Sequence, residues 1–297
     1  MAVGFVGLGN LGRAMAARLV GQGVELVVWN RTSEKGQAFV SECRQSGIVS
    51  LAESPIRVAE RTQIIFLNLF DSPAVQEVLT GRDGLLAGNC RGRILVDTTT
   101  NHFETVLSFY QLATAAGATY VEAPVLGSVV PALQGTLTML ISGHREAYET
   151  VKPYLDRLAK TRFFLEQRAL ATKMKLVNNL VLGSFMAAIA EAVSLAESCG
   201  LPRARALDIL ASGAGNSDVL NAKRQKLING DFSPHFSVAA IHKDLRYLSE
   251  MIQTLGSESV ISQSPEKLFR LAEEQGLGAN DLSAVYEAIR SERGFRL

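Results

Sequence analysis

The start of the chain constrains the fold more than any other stretch. Residues 2–12 read Ala2-Val3-Gly4-Phe5-Val6-Gly7-Leu8-Gly9-Asn10-Leu11-Gly12, an apolar run that breaks into three glycines at G-x-G-x-x-G spacing. A helical pattern follows, and a second apolar run, Val27-Val28-Trp29, ends at Asn30-Arg31-Thr32. Strand, glycine turn, helix and strand in that order open a doubly wound α/β unit that binds a dinucleotide. Gly7 allows the tight turn, Gly9 lets the backbone approach a pyrophosphate, and Gly12 lets the helix lie close on the strand. The N–H groups that follow, flanked by Leu8, Asn10 and Leu11, face the diphosphate with the positive end of the helix dipole.

Charge after the second strand selects the dinucleotide. A unit that reads NAD places Asp or Glu there to accept hydrogen bonds from the ribose hydroxyls. This chain has no carboxylate until Glu34. Arg31 can pair with a 2′-phosphate, and Asn30 and Thr32 can add hydrogen bonds, so the expected cofactor is NADP(H).

At 297 residues the chain has room for two domains. Its formal charge of +1 gives no broad electrostatic footprint for nucleic acid or a membrane surface. Cys43, Cys90 and Cys199 are scattered without C-x-x-C spacing, and the four histidines are equally dispersed. Neither a disulfide framework nor a metal site is expected. The chain enters the glycine motif without a secretory leader, and the apolar stretch Leu180 to Ala190 is short for a bilayer. The expectation is a soluble cytoplasmic protein.

Up to about residue 165 short β-branched runs alternate with helical patterns. Strands are expected near 2–7, 25–29, 63–68, 93–97, 119–123, 137–142 and 161–165, with helices near 11–21, 33–45, 73–79, 103–116 and 145–159. That alternation predicts a mainly parallel sheet covered on both faces, with ligands beyond the carboxyl ends of its strands. Asn68 and Thr100 stand at two such ends. Beyond residue 166 strand signals stop. Ala169 to Ser198 reads as one long helix, apolar on most of its circumference and therefore expected to be buried all round. Gly200 and Pro202 terminate it. The fold class is thus a Rossmann-type α/β domain, residues 1–165, and an all-α domain, residues 166–297, joined by a long helix.

Two further stretches could carry chemistry. From Val121 through Leu137 a strand runs into a loop where Gly127 and Ser128 can offer backbone N–H groups and a hydroxyl to a small carboxylate; a plain turn is the competing reading. Near the start of the long helix, Lys175 and Asn179 are four apart and share a face. Lysine is seldom buried without a partner or a purpose; a lysine reaching out to solvent is the alternative.

Taken together these stretches resemble the β-hydroxyacid dehydrogenase family, which includes 3-hydroxyisobutyrate dehydrogenases and glyoxylate/succinic semialdehyde reductases. The resemblance runs along the whole chain. It comprises the glycine motif, Glu122-Ala123-Pro124-Val125 through Pro131-Ala132 and Gly135-Thr136-Leu137, Lys175 to Asn179, Ala190-Glu191-Ala192 and Lys243-Asp244-Leu245. It implies that Lys175 is the proton donor, that Asn179 orients the substrate, and that Leu126, Gly127 and Ser128 form the substrate loop. Lys243 is implied on the nicotinamide side, with Asn68, Leu69 and Thr100 lining the cofactor cleft. Asn30-Arg31-Thr32 and Gly127-Ser128 are similar to the NADPH-preferring glyoxylate/succinic semialdehyde branch.

The chain departs from the family pattern at Leu126, where serine is usual. This suggests a substrate bulkier or less polar than the simplest hydroxyacids. Ala169 and Ala171 also replace glycines ahead of the long helix. The resemblance implies NADPH-dependent reduction of a small aldehyde or keto acid to its hydroxyacid, or the reverse oxidation. The alternatives are an imine reductase on the same scaffold and a non-catalytic NADP-binding scaffold. The expected partners are a small carbonyl or hydroxyacid substrate and, given the apolar helix, a second copy in a homodimer or higher homo-oligomer.

Overall fold

The structure, a computed structural model, describes residues 2–294. The chain divides after Lys175 into two compact units.

In the first unit six strands form one sheet: β1 (Val3–Val6), β2 (Leu26–Trp29), β3 (Val49–Leu51), β4 (Ile64–Leu67), β5 (Ile94–Asp97) and β6 (Thr119–Glu122). Their order is β3-β2-β1-β4-β5-β6 and every pairing is parallel. This is the Rossmann order, and the direction of winding reverses between β1 and β4. A parallel sheet must be covered on both faces, and alternation along the strands does this. Phe5, Phe66 and Val96 pack on one face with Met15, Leu19 and Val20 of the helix Asn10–Gly21. Val6, Ile65, Leu67 and Leu95 pack on the other with Val58, Leu79 and Phe109.

A second sheet holds β7 (Val125–Leu126), β8 (Leu137–Ile141) and β9 (Ala159–Phe164), with β7 antiparallel and β9 parallel to β8. The sequence suggests one continuous sheet for these runs. Ala123, the residue after β6, still donates its N–H to the Asp97 carbonyl at 2.7 Å, but Pro124 beyond it has no N–H to continue the ladder, and the chain turns out into the new sheet. Strands β3 and β7 and the helices Pro55–Arg61 and Val129–Gln134 go beyond what the sequence suggests, each being seven residues or fewer.

Among its described residues the second unit has helices and no strand beyond an isolated bridge between Ser237 and Asp281. Its helices include Arg203–Ser212, Asp218–Asn229, Val238–Thr254, Gln263–Ala272 and Val285–Gly294. Ser217 and Ser237 cap two of them by accepting from Leu220 and Ala240 N–H.

The long helix spans Leu170–Ser198, so its first turns belong to the first unit. It is long and apolar enough to cross a membrane by length and composition, with mean hydropathy 1.6. Yet it carries Lys175, Asn178, Asn179 and Glu191, and core helices of globular proteins share this composition. The expectation that it is buried all round is not met within one chain. Leu170, Met174, Val177, Val181, Phe185 and Leu195 form an exposed apolar stripe at helical spacing, whereas Leu176, Met186, Ala190 and Val193 are buried.

Ala169, immediately before this helix, has φ +65°. An L-residue in the left-handed region costs about 1–2 kcal/mol, which glycine avoids. Ala169→Gly is therefore expected to raise stability by about 1 kcal/mol, less the glycine's extra unfolded-state entropy, as read by thermal denaturation.

Candidate dinucleotide and substrate site

The glycine loop lies at the winding reversal, and its three glycines meet three different constraints. Gly7 has φ +99°, and a Cβ there would stand 2.2 Å from the Asn68 carbonyl oxygen beyond β4. A Cβ on Gly12 would stand 2.2 Å from the Gly7 carbonyl oxygen. At Gly9 no atom lies within 4 Å of a Cβ position, and the residue is exposed. Gly9 is the N-cap of the helix Asn10–Gly21 and brings no side chain to its first N–H groups. Bare backbone donors at a helix N-terminus, with open space over the middle glycine, fit a dinucleotide diphosphate.

Hydrogen bonds set the loops around it. Leu8 N–H donates to Asn30 Oδ1 at 2.8 Å, and Asn30 Nδ2 donates to the Thr32 carbonyl at 2.9 Å. Asn30 thus ties the glycine loop to the segment after β2, and Arg31 and Thr32 beside it are exposed. Asn68 Nδ2 donates to Thr98 Oγ1 at 2.8 Å, and Leu69 N–H donates to Thr99 Oγ1 at 3.0 Å. Leu11, Leu69 and Thr100 are half-buried around these loops.

Behind them Asp97, the last residue of β5, is buried. It accepts from Thr99 N–H at 2.8 Å, from Asn101 Nδ2 at 2.7 Å and from the Tyr120 hydroxyl. Burial pushes its carboxyl above the ordinary value, opposed by the Thr99, Tyr120 and Asn101 hydrogen bonds. Burial and the neighbouring Asp97 likewise raise the Tyr120 hydroxyl well above its ordinary range.

The second group follows β6. Leu126 ends β7 and is half-buried, Gly127 is exposed at φ +113°, and Ser128 is the N-cap residue of the helix Val129–Gln134. A Cβ on Gly127 would press within 2.8 Å of the Leu137 side chain, so the loop conformation requires glycine there.

The third group sits on the long helix. Lys175 is 7% exposed, and the preceding turn places Thr172, fully buried, on the same face. In the second unit, Asn179 Nδ2 donates to Asp244 Oδ2 at 2.6 Å. Lys243 Nζ stands 2.8 Å from Asp244 Oδ1, an ion-pair contact rather than an aligned hydrogen bond, and 5.1 Å from the Tyr247 ring centroid. Asn179 and Lys243 therefore converge on one carboxylate.

Two carboxylates matter more than the sequence alone reveals, Glu122 and Asp244. Both stand in the stretches that carry the family resemblance, but nothing local marks them as anchors of other residues. No group of three or more His, Cys, Asp or Glu could hold a metal among the described residues.

The family description "NAD binding domain of 6-phosphogluconate dehydrogenase" matches residues 2–169. That of the NAD-binding region of NADP-dependent 3-hydroxyisobutyrate dehydrogenase matches residues 170–289. Glyoxylate/succinic semialdehyde reductase 1 of Arabidopsis thaliana is 34% identical over 297 residues, covering 99% of this chain and 100% of the relative. The chain belongs to the β-hydroxyacid dehydrogenase family.

This is a family of NAD(P)-dependent oxidoreductases acting on CH–OH groups, and the NADP-dependent description matched by residues 170–289 supports NADP(H) as the cofactor. The cytokine-like nuclear factor N-PAC of Gallus gallus is also 34% identical, over 286 residues. That match covers 96% of this chain and 51% of the relative, so the chain spans about half the length of that protein. Among solved structures, Psf3 in complex with NADP+ and 2-OPP superposes with a TM-score of 0.88 at 27% identity, covering 97% of this chain and 100% of that one. An imine reductase from Pseudomonas sp., at 21% identity and a TM-score of 0.65, covers 97% of this chain and 99% of its own and shares the fold alone.

Proposed function

We propose that this β-hydroxyacid dehydrogenase family member is an NADPH-dependent reductase of small aldehyde or keto acids of the glyoxylate and semialdehyde type, also able to run the reverse oxidation. The observation that carries this reading is a lysine only 7% exposed, one turn beyond the start of a long helix whose opening N–H groups are all taken. The similarity to glyoxylate/succinic semialdehyde reductase 1 supports the substrate class.

When bound, NADPH supplies a hydride to the substrate's carbonyl carbon. The chain's own residues do the rest. Gly7, Leu8, Gly9, Asn10, Leu11 and Gly12 hold the diphosphate, and Arg31 pairs with the 2′-phosphate, flanked by Asn30 and Thr32. Asn68, Leu69 and Thr100 line the same end of the sheet. Gly127 and Ser128 hold the substrate carboxylate, with Leu126 giving that loop an apolar wall. The Lys175 ammonium hydrogen-bonds the carbonyl oxygen and gives it a proton as negative charge develops. Asn179, one helical turn further on, orients the substrate, and Lys243 serves the nicotinamide side. We also assign the exposed stripe of the long helix to contact with a second copy of the chain, since apolar patches of this extent are usually covered.

NADPH oxidation should be followed against glyoxylate, succinic semialdehyde, methylmalonate semialdehyde, tartronate semialdehyde and a cyclic imine, with NADH as control. Turnover of at least one carbonyl acid, faster with NADPH, is expected. Turnover of the imine alone would make the chain an imine reductase; NADPH binding with no reduction would make it a non-catalytic module. Arg31→Ala should raise the NADPH dissociation constant roughly tenfold, the worth of one charge-assisted hydrogen bond, and leave NADH unaffected. Equal loss for both cofactors would remove Arg31 from the 2′-phosphate.

A further inference from the structure

A helix leaves its first N–H groups without intrahelical partners, and burying them unpaired is costly. At the start of Leu170–Ser198 each has a partner outside the helix. Leu170 N–H donates to the Gln167 carbonyl at 3.2 Å, and Ala171 N–H donates to Ser142 Oγ at 3.0 Å. Thr172 N–H donates to Glu122 Oε2 at 3.0 Å, and the Thr172 hydroxyl donates to the same oxygen at 2.6 Å. Lys173 N–H then makes the first bond of the helix proper, to the Ala169 carbonyl at 2.9 Å.

Glu122 anchors this cap. It is the last residue of β6 and 1% exposed. Its Oε1 accepts from Ala169 N–H at 2.6 Å and from the Tyr110 hydroxyl at 2.8 Å. Two donors on each oxygen match a carboxylate, which only accepts; a carboxamide would turn an NH₂ against two of them. The backbone of Glu122 is fixed as well: its N–H donates to the Ser142 carbonyl at 3.0 Å, and Ser142 N–H returns a bond at 3.1 Å. The same strand end therefore holds the helix start directly and through Ser142. Burial raises the Glu122 carboxyl above its ordinary value, and the hydrogen bonds from Thr172, Ala169 and Tyr110 oppose that rise, as does the positive end of the helix dipole.

Thr172 and Lys175 are three residues apart on one buried face of that helix. Whatever fixes Thr172 fixes the rotation and axial position of the turn that carries Lys175. We propose that Glu122 is a positioning residue: it locks the first turn of the long helix in the register that aims the Lys175 ammonium at the substrate oxygen. Tyr110 is part of the device, because its one hydroxyl proton is shared between Glu122 Oε1 at 2.8 Å and the Ser142 carbonyl at 3.0 Å, which ties both anchors of the helix start to one side chain. This assignment rests on the role of Lys175 proposed above.

The test compares wild type, Glu122→Gln, Glu122→Asp and Thr172→Val, with rates normalised to NADPH-binding sites counted by titration. Small misplacements of a reacting group cost up to about 100-fold in rate. Glu122→Gln is expected to lower kcat roughly 10- to 100-fold, with the substrate KM and NADPH affinity held within about twofold. Glu122→Asp keeps the charge and restores part of the loss. Thr172→Val removes one donor without changing side-chain shape and shows a smaller fall in kcat, which keeps the test valid if Glu122→Gln does not fold. Unchanged kcat per site in the Thr172 and Glu122 variants would overturn the proposal, as would losses that follow thermal stability alone. A wild type that reduces no carbonyl compound overturns the functional reading itself, and the positioning role with it.

Discussion

Lys175→Ala should cost roughly 100- to 10,000-fold in kcat for carbonyl reduction, the usual contribution of a positioned general acid. That range corresponds to about 3–5.5 kcal/mol of transition-state stabilisation. NADPH affinity should stay within about twofold, because the bonds that shape the glycine loop, Leu8 to Asn30 and Asn68 to Thr98, involve no residue of the long helix. The substrate KM should change little, since a proton donor works chiefly in the transition state. Lys175→Arg keeps the positive charge but hardly releases a proton, so it should leave binding intact without restoring turnover. Stopped-flow measurement of NADPH consumption, paired with a fluorescence titration of NADPH, separates the two effects. A variant that keeps the wild-type rate, or one that loses cofactor and rate together, would remove Lys175 from the role.

The second large effect concerns stability of the helical unit. Asp281 is fully buried and gathers donors from three segments. Lys223 Nζ stands 2.8 Å from Oδ2, His235 N–H donates to Oδ2 at 3.0 Å, and the Ser283 hydroxyl donates to Oδ1 at 2.8 Å. Removing one partner of a buried pair strands the other charge, at a cost of about 3–5 kcal/mol. Asp281→Ala should therefore unfold the second unit at a much lower temperature, while the first unit's thermal transition is retained. Differential scanning calorimetry can observe both.

The pH dependence has a definite sign. Burial raises the proton affinity of Asp281, but Lys223, Ser283 and the His235 N–H outweigh it and hold the carboxyl below its ordinary value of 3.8. A carboxyl lowered in the folded state stabilises fully above that ordinary value and loses its contribution as pH falls through the lower, folded one. Burial pulls the Lys223 ammonium the opposite way, below its ordinary range, and Asp281 offsets part of that. The wild type should thus lose second-unit stability on acidification, with a shallower loss in Asp281→Asn. Identical acid profiles would show that the pair contributes nothing net.

The nucleotide half of the fold is legible in the sequence because its signals are local. Glycine spacing, strand periodicity and a missing carboxylate after the second strand all act within some thirty residues. The strand order then follows from parallel winding rules. Short elements escape: Val49–Leu51 is three residues with a polar Ser50 at its centre, and the seven-residue helix Pro55–Arg61 is too brief to show a period. The long helix is recognised for its length and misread for its burial. Average apolarity cannot distinguish a face covered within the chain from one left for another surface.

The site divides in the same way. Lys175 is noticeable as a lysine in an apolar helix, and Gly127 as a glycine in a loop. Glu122 shows its purpose only through partners 47 and 50 residues away, and Asp244 through one 65 residues away. Local patterns carry no information about such pairings. Leu126 is visible from the sequence as a departure from the family pattern, and its place beside Gly127 on β7 and the loop makes it the residue to vary when the substrate is sought.

The most direct measurement follows the isotope in the product. Enzyme is mixed with NADPH carrying deuterium at the transferable position of C4 and with the best carbonyl acid of the panel, and the hydroxyacid is analysed by mass spectrometry. Direct hydride transfer with Lys175 as proton donor predicts one deuterium on the new carbinol carbon in each product molecule formed by wild type, and almost no product from Lys175→Ala. Product without the label, or equal labelled product from both proteins, would contradict it.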